Sequence, residues 1–480
     1  VEPGTVDVEL AEEAGRTDAP ADRDPTAVRR AGVVRVLRRW WPVPVAVVLG
    51  VVGWQALSDR ADRAATEALR ATPGVIGTTL TPPLTTTAWG SADAIAVLAD
   101  PVRTADGALA GPVLAPTGGW DVVALDAEDG HERWRAAVTE PEPRAGTSAF
   151  VTCEGEGEPA RGLACLVQTE RYDPGPGELA VASRLVRVDL AAGTVQPVRD
   201  LPPGATAAVA DDLLVLAENR PGSAGGPGSI RVTATDLGTG DPRWRVEVPG
   251  AFPTALGAPA VRWLDGYVLV HGPASAWALD PGDGGVRASG ADLQVLRDGQ
   301  VADVAGNSTT RLFGADGEPG ATLPGSPVGV DPDDGSVPDL LVQRRYDGAA
   351  GGTLEAVDGA TGAQVWQVAL DRDLASSVVL LDGVLYVADG PTVRAFDAAT
   401  GRERWATAGG PDDGARLTSD GVHLLRVERD MATGDQVLAA YALGDGGRTW
   451  ATPLPEQVDA LLVRDGRLYG QHDRLLHRVG

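Results

Sequence analysis

Residues 354–366 read LEAVDGATGAQVW, and residues 393–405 read VRAFDAATGRERW. Each is a β-rich run closed by an aspartate, Asp358 or Asp397, with a glycine four residues on (Gly362, Gly401) and a tryptophan four after that (Trp366, Trp405). The carboxylate can cap the amides of a turn and the glycine can take positive φ, so the phrase predicts a tight connection between two strands. The tryptophan then returns on the second strand, where it can bury against a neighbouring sheet.

The same spacing recurs at Asp126, Gly130 and Trp134, and at Asp236, Gly240 and Trp244. Asp189–Gly193, Asp280–Gly284 and Asp316–Gly320 lack the tryptophan, and a last copy has Ala442 in the acidic slot before Gly446 and Trp450. The mean spacing of these eight anchors is about 45 residues, the size of a four-stranded propeller blade. Between them lie short apolar runs such as Ala94–Leu98, Leu213–Leu216, Tyr267–Val270 and Val384–Val387, several of them after an Asp-Gly hairpin signal as at Asp265, Asp382 and Asp465. A solenoid would also repeat, but radiating strands leave only short, protected edges and need no capping repeats. After Trp450 the chain supplies three strands without an outermost partner, and residues 78–89 can provide it. Eight phrases plus this composite make nine sheets. Propellers of this kind usually stop at eight, so the short interval ending at Asp316 is read as degenerate. The expectation is an all-β, eight-bladed propeller of four-stranded antiparallel blades, within a range of seven to nine.

The phrase A-x-D-x-x-T-G-x-x-x-W resembles the repeat of quinoprotein-like propellers, a superfamily holding quinone-dependent alcohol and glucose dehydrogenases alongside proteins without cofactor. The resemblance covers roughly residues 80–480 and is most specific at Asp358 and Asp397. It extends to the propeller that assists outer-membrane protein assembly. It implies the scaffold rather than the enzyme, because the phrase lies away from the quinone site. The resemblance also implies, for catalytic members, a vicinal disulfide, calcium-binding acidic and amide residues and a catalytic aspartate. No adjacent cysteines and no C-x-x-C-H haem phrase occur here, and no catalytic, cofactor-binding or metal residue is carried over.

The chain is 480 residues long, with 41 cationic side chains, all arginine, against 67 acidic ones, a net charge of -26. That balance excludes a general nucleic-acid binder, which needs a cationic face. Glycine and proline (62 and 36) suit many short strands and turns. Residues 1–28 are acidic and without apolar periodicity, which predicts a disordered cytoplasmic leader. Residues 29–39 form a basic juxtamembrane segment, and residues 40–57, WWPVPVAVVLGVVGWQAL, are uncharged and just long enough for one transmembrane helix. A cleaved signal peptide is the rival reading, but no small-residue cleavage site follows Leu57. Residues 58–77 predict a juxtamembrane helix and linker, and residues 78–480 an extracytoplasmic propeller. The arginine-, alanine- and glycine-rich composition suggests a GC-rich, actinobacterial source.

Cys153 and Cys165 flank a glycine- and glutamate-rich loop and can close a hairpin as a disulfide. Asp331–Ser336 (DPDDGS) resembles part of a calcium loop but lacks the alternating ligand pattern, so a solvated loop is favoured; Asp283, Asp316, Asp347 and Asp412 read likewise. His472 and His477, five apart in one presumed strand, would point to opposite faces, against a zinc site. The loops 153–165, 173–178 and 219–228, and Arg344, Arg345 and Tyr346, are the places where binding residues could sit. The expectation is a membrane-anchored, extracytoplasmic and non-enzymatic binding or scaffold module. Its partners are the bilayer through 40–57 and an envelope protein, peptide or glycan. No cofactor is expected. The alternative is a PQQ-dependent oxidoreductase acting on alcohols or sugars, with PQQ and calcium, and a hydrolase built on blade loops is a third reading.

Overall fold

The computed structural model describes residues 42–480, apart from 91–92, 140–146, 157–159, 161, 173–178, 203–204, 211, 221, 223–227, 251–258, 265, 298, 307–308, 315, 347–351, 371–374, 412–415 and 474. The leader and basic segment expected before residue 40 lie outside the described residues. The chain divides into two compact units, residues 1–65 and 66–480. In the first, the described residues form helix α1, which runs from Pro42 to Arg70.

This helix corrects the membrane expectation. No helix among the described residues is long and apolar enough to cross a membrane. Pro42, Pro44, Gly50, Gly53, Trp54 and Gln55 dilute the apolar run, and α1 continues without a break into Asp59, Arg60, Asp62 and Arg63. The transmembrane span at 40–57, the bilayer as a partner and the single-pass topology are therefore not supported.

Residues 66–480 form a nine-bladed propeller. Blades 1 to 8 occupy residues 102–137, 147–200, 205–249, 260–290, 293–323, 326–369, 375–408 and 418–453, and blade 9 joins residues 460–479 to the strand Thr86–Trp89. The expectation of eight blades is corrected to nine. The interval ending at Asp316 is a complete four-stranded sheet, blade 5, whose strands Leu293–Val295, Val301–Ala305, Thr309–Phe313 and Pro319–Leu323 are only three to five residues long. Closure runs through blade 9, where Trp89 opposes Leu476 and the backbones of Thr85 and Gly480 exchange hydrogen bonds of 2.8 and 3.1 Å.

Each phrase makes the turn between the third and fourth strands of its blade. Gly362 N–H donates to Asp358 O at 2.7 Å and Gly401 N–H to Asp397 O at 2.8 Å, with the glycines at φ +70 and +68. The carboxylates accept the Thr361 and Thr400 amides. A β-bulge immediately before the turn, as at Ala356/Val357 and Ala395/Phe396, sets the fourth strand's twist. Blade 5 differs: Gly317, at φ +83, makes the turn from Gly314 to Glu318, and Gly320 lies within the strand that follows.

The tryptophans couple successive blades. A Cβ placed on Gly130, Gly193, Gly284, Gly401 or Gly446 would meet the ring of Trp89, Trp134, Trp244, Trp366 or Trp405 respectively, at 3.0 Å or less. The indole N–H of Trp244, Trp366 and Trp405 donates to the carbonyl of Pro281, Ala398 and Leu443, the residue after the acidic slot of the next blade. The preceding blade lacks the tryptophan at Gly240, where a Cβ would meet nothing within 4 Å, and at Gly362, where Ala321 and Leu323 fill the space instead. Middle strands such as Val384–Asp389 are buried on both faces between blades, while fourth strands such as Gln364–Ala369 alternate. The run Ala94–Leu98, which reads as a strand, is instead helix α2 (Ala94–Ala99); its Ala94, Val97 and Leu98 fill the space between blades 9 and 1 beside Trp89 and Tyr469. Short apolar runs do not separate helix from strand by periodicity.

Candidate functional site

The closing seam is where the repeat is most disturbed. After α1 the chain crosses from blade 8 to blade 9: Ile76 N–H donates to Ser419 O at 2.8 Å and Gly77 N–H to Gly466 O at 2.7 Å. Arg70 Nε holds Asp420 O at 3.0 Å. The fully buried Asp420 carboxylate accepts the amides of Leu80, Val422 and His423 and lies 3.1 Å from His423 Nδ1. One carboxylate thus ties the incoming segment to blade 8, and Ile76 and Leu80 are sealed into the seam core with Leu425, Leu438 and Leu468.

A cavity of about 1360 Å³ opens beside this segment. On one side stand Leu425, Val427 and Leu438 of blade 8, and on the other Leu461, Val463 and Leu468 of blade 9. Seven arginines and three aspartates line it, in a chain that carries 41 cationic and 67 acidic side chains. Arg103 pairs with Asp465 at 2.7 Å while keeping half its side chain exposed. Arg416 lies 3.9 Å from Asp331 with 84% of its side chain exposed. Arg464 donates to Leu98 O at 3.2 Å, and Arg467 bonds Tyr469, whose hydroxyl pKa is raised chiefly by burial. Arg70 ends α1, and the other six come from blades 1, 8 and 9 and from the loop before blade 8, with closure bringing Arg103 of blade 1 against Asp465 of blade 9.

The same cavity is lined by the inner edge of blade 9 and by Thr418 of blade 8, where the Ser419 carbonyl is already taken by Ile76. Thr418–Ser419 and Ala460–Arg464 are the first strands of blades 8 and 9, and each stands at the edge of its sheet. Blade 7 shows what such an edge can accept. The segment Val330–Asp333 has added to it as a fifth strand, parallel to Ala375–Leu381, with Val330 opposite Val378.

That added strand accounts for the acidic loop at Asp331–Ser336. Asp333 pairs with Arg297 at 2.6 Å and also accepts the Gly335 amide. Asp334 accepts the amides of Ser336 and Asp382, and the Ser336 hydroxyl accepts the Gly383 amide. Asp334 and Ser336 latch the strand to the Asp382–Gly383 turn of blade 7, and Asp333 ties it to Arg297 of blade 5. Cys153 and Cys165 form a disulfide between directly opposed residues of blade 2, with Cα atoms 4.1 Å apart. The pair is buried among Val151, Leu163 and Val186. It is a cross-strand link and not the vicinal pair that the quinoprotein resemblance implies beneath a quinone.

Asp126, Asp129 and His131 bring one ligand atom each within 4.8 Å of one another. Within this group Asp126 bonds Arg133 at 2.7 Å and the Glu128 amide, and Asp129 bonds His131. His472 and His477 sit on neighbouring antiparallel strands rather than one, and His472 Nδ1 meets Asp459 at 2.8 Å. Arg345 turns inward to Glu355, which also accepts Gln343 Nε2 at 2.8 Å. Loop 173–178, most of 219–228, and Asp347 and Asp412 lie outside the described residues. An arginine seven residues after the phrase aspartate is a further feature: Arg133, Arg243, Arg287 and Arg404 bond Asp126, Asp236, Asp280 and Asp397. These arginines hold the Asp126 and Asp236 carboxyls down at about 2 and lower those of Asp280 and Asp397.

A family model described as outer membrane protein assembly factor BamB matches residues 346–474, the stretch containing the phrases at Asp358, Asp397 and Ala442. The fold is a PQQ-like, BamB-related β-propeller. No curated protein matches the chain. Among solved structures, BamB from Moraxella catarrhalis is 17% identical over 64% of this chain and 94% of its own, with a TM-score of 0.33. A quinohemoprotein alcohol dehydrogenase from Pseudomonas putida HK5 is 14% identical over 79% of this chain and 77% of its own, with a TM-score of 0.29. A europium-containing methanol dehydrogenase is 13% identical over 70% and 81%, also with a TM-score of 0.29.

Proposed function

We propose that this chain is a non-catalytic binding propeller that holds an extended segment of a partner polypeptide in the cavity at its closing seam. The observation that carries this reading is the fifth strand of blade 7. An inner edge of this propeller accepts strand addition, and the inner edge of blade 9 faces a cavity of about 1360 Å³. That volume exceeds the few hundred to about 1,000 Å³ usual for small-molecule pockets. A polypeptide added at an edge gains main-chain hydrogen bonds from the sheet and seats alternate side chains against its walls. Leu461 and Val463, half-buried on one face of the edge strand of blade 9, provide an apolar wall at the period a strand requires.

The test is selection of displayed twelve-residue peptides on the full chain, followed by amide hydrogen exchange with synthetic copies of the selected sequences. Binding peptides should slow exchange in residues 460–464. A folded chain that yields no peptide, or peptides protecting only other regions, would overturn the reading.

A further inference from the structure

We infer that the segment taken by the seam cavity is acidic, with carboxylates read by Arg416 and Arg103 at the axial mouth; this rests on the polypeptide reading above. The chain as a whole repels anions, but its distant charges are screened beyond about 8 Å at physiological ionic strength. A ligand inside the cavity therefore responds to its own walls, where seven arginines stand against three aspartates. Of the two residues at the mouth, Arg416 has the more available fork. Its nearest carboxylate, Asp331, is 3.9 Å away and itself 69% exposed, so a ligand carboxylate can replace a weak contact with a bidentate one. Arg103 is already paired at 2.7 Å to Asp465, which fixes the guanidinium in place while 53% of it stays in contact with solvent. The half-buried Leu461 and Val463 lie deeper, on the blade 8 side of the edge strand. An extended ligand would place alternate side chains against this apolar wall and the others toward the arginines.

Nucleic acid carries the same sign but suits the site less. A duplex or long single strand would leave the cavity and run across a surface whose net charge is -26. A short acidic peptide confines its charge to the cationic mouth.

The experiment uses the full chain and two fluorescein-labelled peptides, six repeats of Thr-Glu and six repeats of Thr-Gln, followed by anisotropy at low and high salt. The expected result is at least tenfold tighter binding of the Glu peptide at 50 mM salt, most of which disappears at 500 mM. Arg416→Glu, at an exposed position that folding does not need, should remove at least tenfold of the affinity, and Arg416→Lys should restore part of it. Equal binding of both peptides, with seam protection in hydrogen exchange, would overturn the charge inference and leave the polypeptide reading standing. Binding of neither by the folded chain would overturn both, and preference for a labelled oligothymidine over the Glu peptide would overturn the choice of ligand.

Discussion

The indole of Trp366 occupies the space that a side chain on Gly401 would need: a Cβ there would sit 2.6 Å from the ring, while the indole N–H reaches past the glycine to Ala398 O at 2.7 Å. The glycine of one phrase is thus the socket for the tryptophan of the phrase before it. Gly401 also lies at φ +68, so alanine there carries both a backbone cost of about 1–2 kcal/mol and an overpacking cost of about 1–3 kcal/mol. Gly240 has φ +78 but nothing within 4 Å of its missing Cβ, so Gly240→Ala carries the backbone cost alone. Urea melts of the two variants should place Gly401→Ala lower by roughly 1–3 kcal/mol, the overpacking share. Equal losses would show that the socket is not a packing contact.

Trp450 tests the other half of the same device. Its indole N–H is buried without an acceptor among the described residues. Trp366→Phe strands the Ala398 carbonyl and loses a buried hydrogen bond, about 1–3 kcal/mol. Trp450→Phe removes an N–H that bonds nothing, so its loss should be smaller by about 1 kcal/mol or more. Thermal and urea melts of both variants check this, and a larger loss at Trp450 would show that its N–H is paired in solution.

These contacts show where the sequence was legible. Asp358, Gly362 and Trp366 are read from one short window because a turn, a positive φ and a docking indole are local requirements that repeat. Helix α2 was not legible, since Ala94–Leu98 satisfies either period. The latch at Asp333 was not legible either: its partner Arg297 is 36 residues away in blade 5, and nothing local distinguishes a carboxylate awaiting arginine from one awaiting calcium. The pairing of phrase aspartate with the arginine seven residues on is local and recurs four times, so it was open to reading and was missed. The arginine mouth lies at the opposite extreme. Arg103 of blade 1 reaches Asp465 of blade 9 because the chain's two ends share blade 9.

The disulfide should contribute measurably although it spans a short loop. Cys153 and Cys165 are twelve residues apart and are the chain's two cysteines, so reduction changes one cross-link and nothing else. Restricting a loop of that length in the unfolded chain is worth about 2–3 kcal/mol. Urea melts with and without a phosphine reductant should show a lower midpoint for the reduced chain. Coincident midpoints would mean that the strands of blade 2 hold the same constraint without the bond.

Acid should weaken the phrase turns. Arg133 and Arg243 hold the carboxyls of Asp126 and Asp236 down at about 2, and Arg287 and Arg404 lower those of Asp280 and Asp397. In the unfolded chain these groups titrate near 3.9. Because the folded pKa is the lower one, the unfolded state binds more protons between the two values. The stabilisation is therefore complete above pH of about 4 and is lost as the pH falls towards about 2. Removing the arginines as Arg133→Gln and Arg243→Gln returns the two carboxyls towards their ordinary range, so the double variant should be less stable than the parent at pH 6 and approach it at pH 2.5. Urea midpoints across that range measure the convergence. Parallel pH profiles would show that the arginines do not set the proton affinity of these turns.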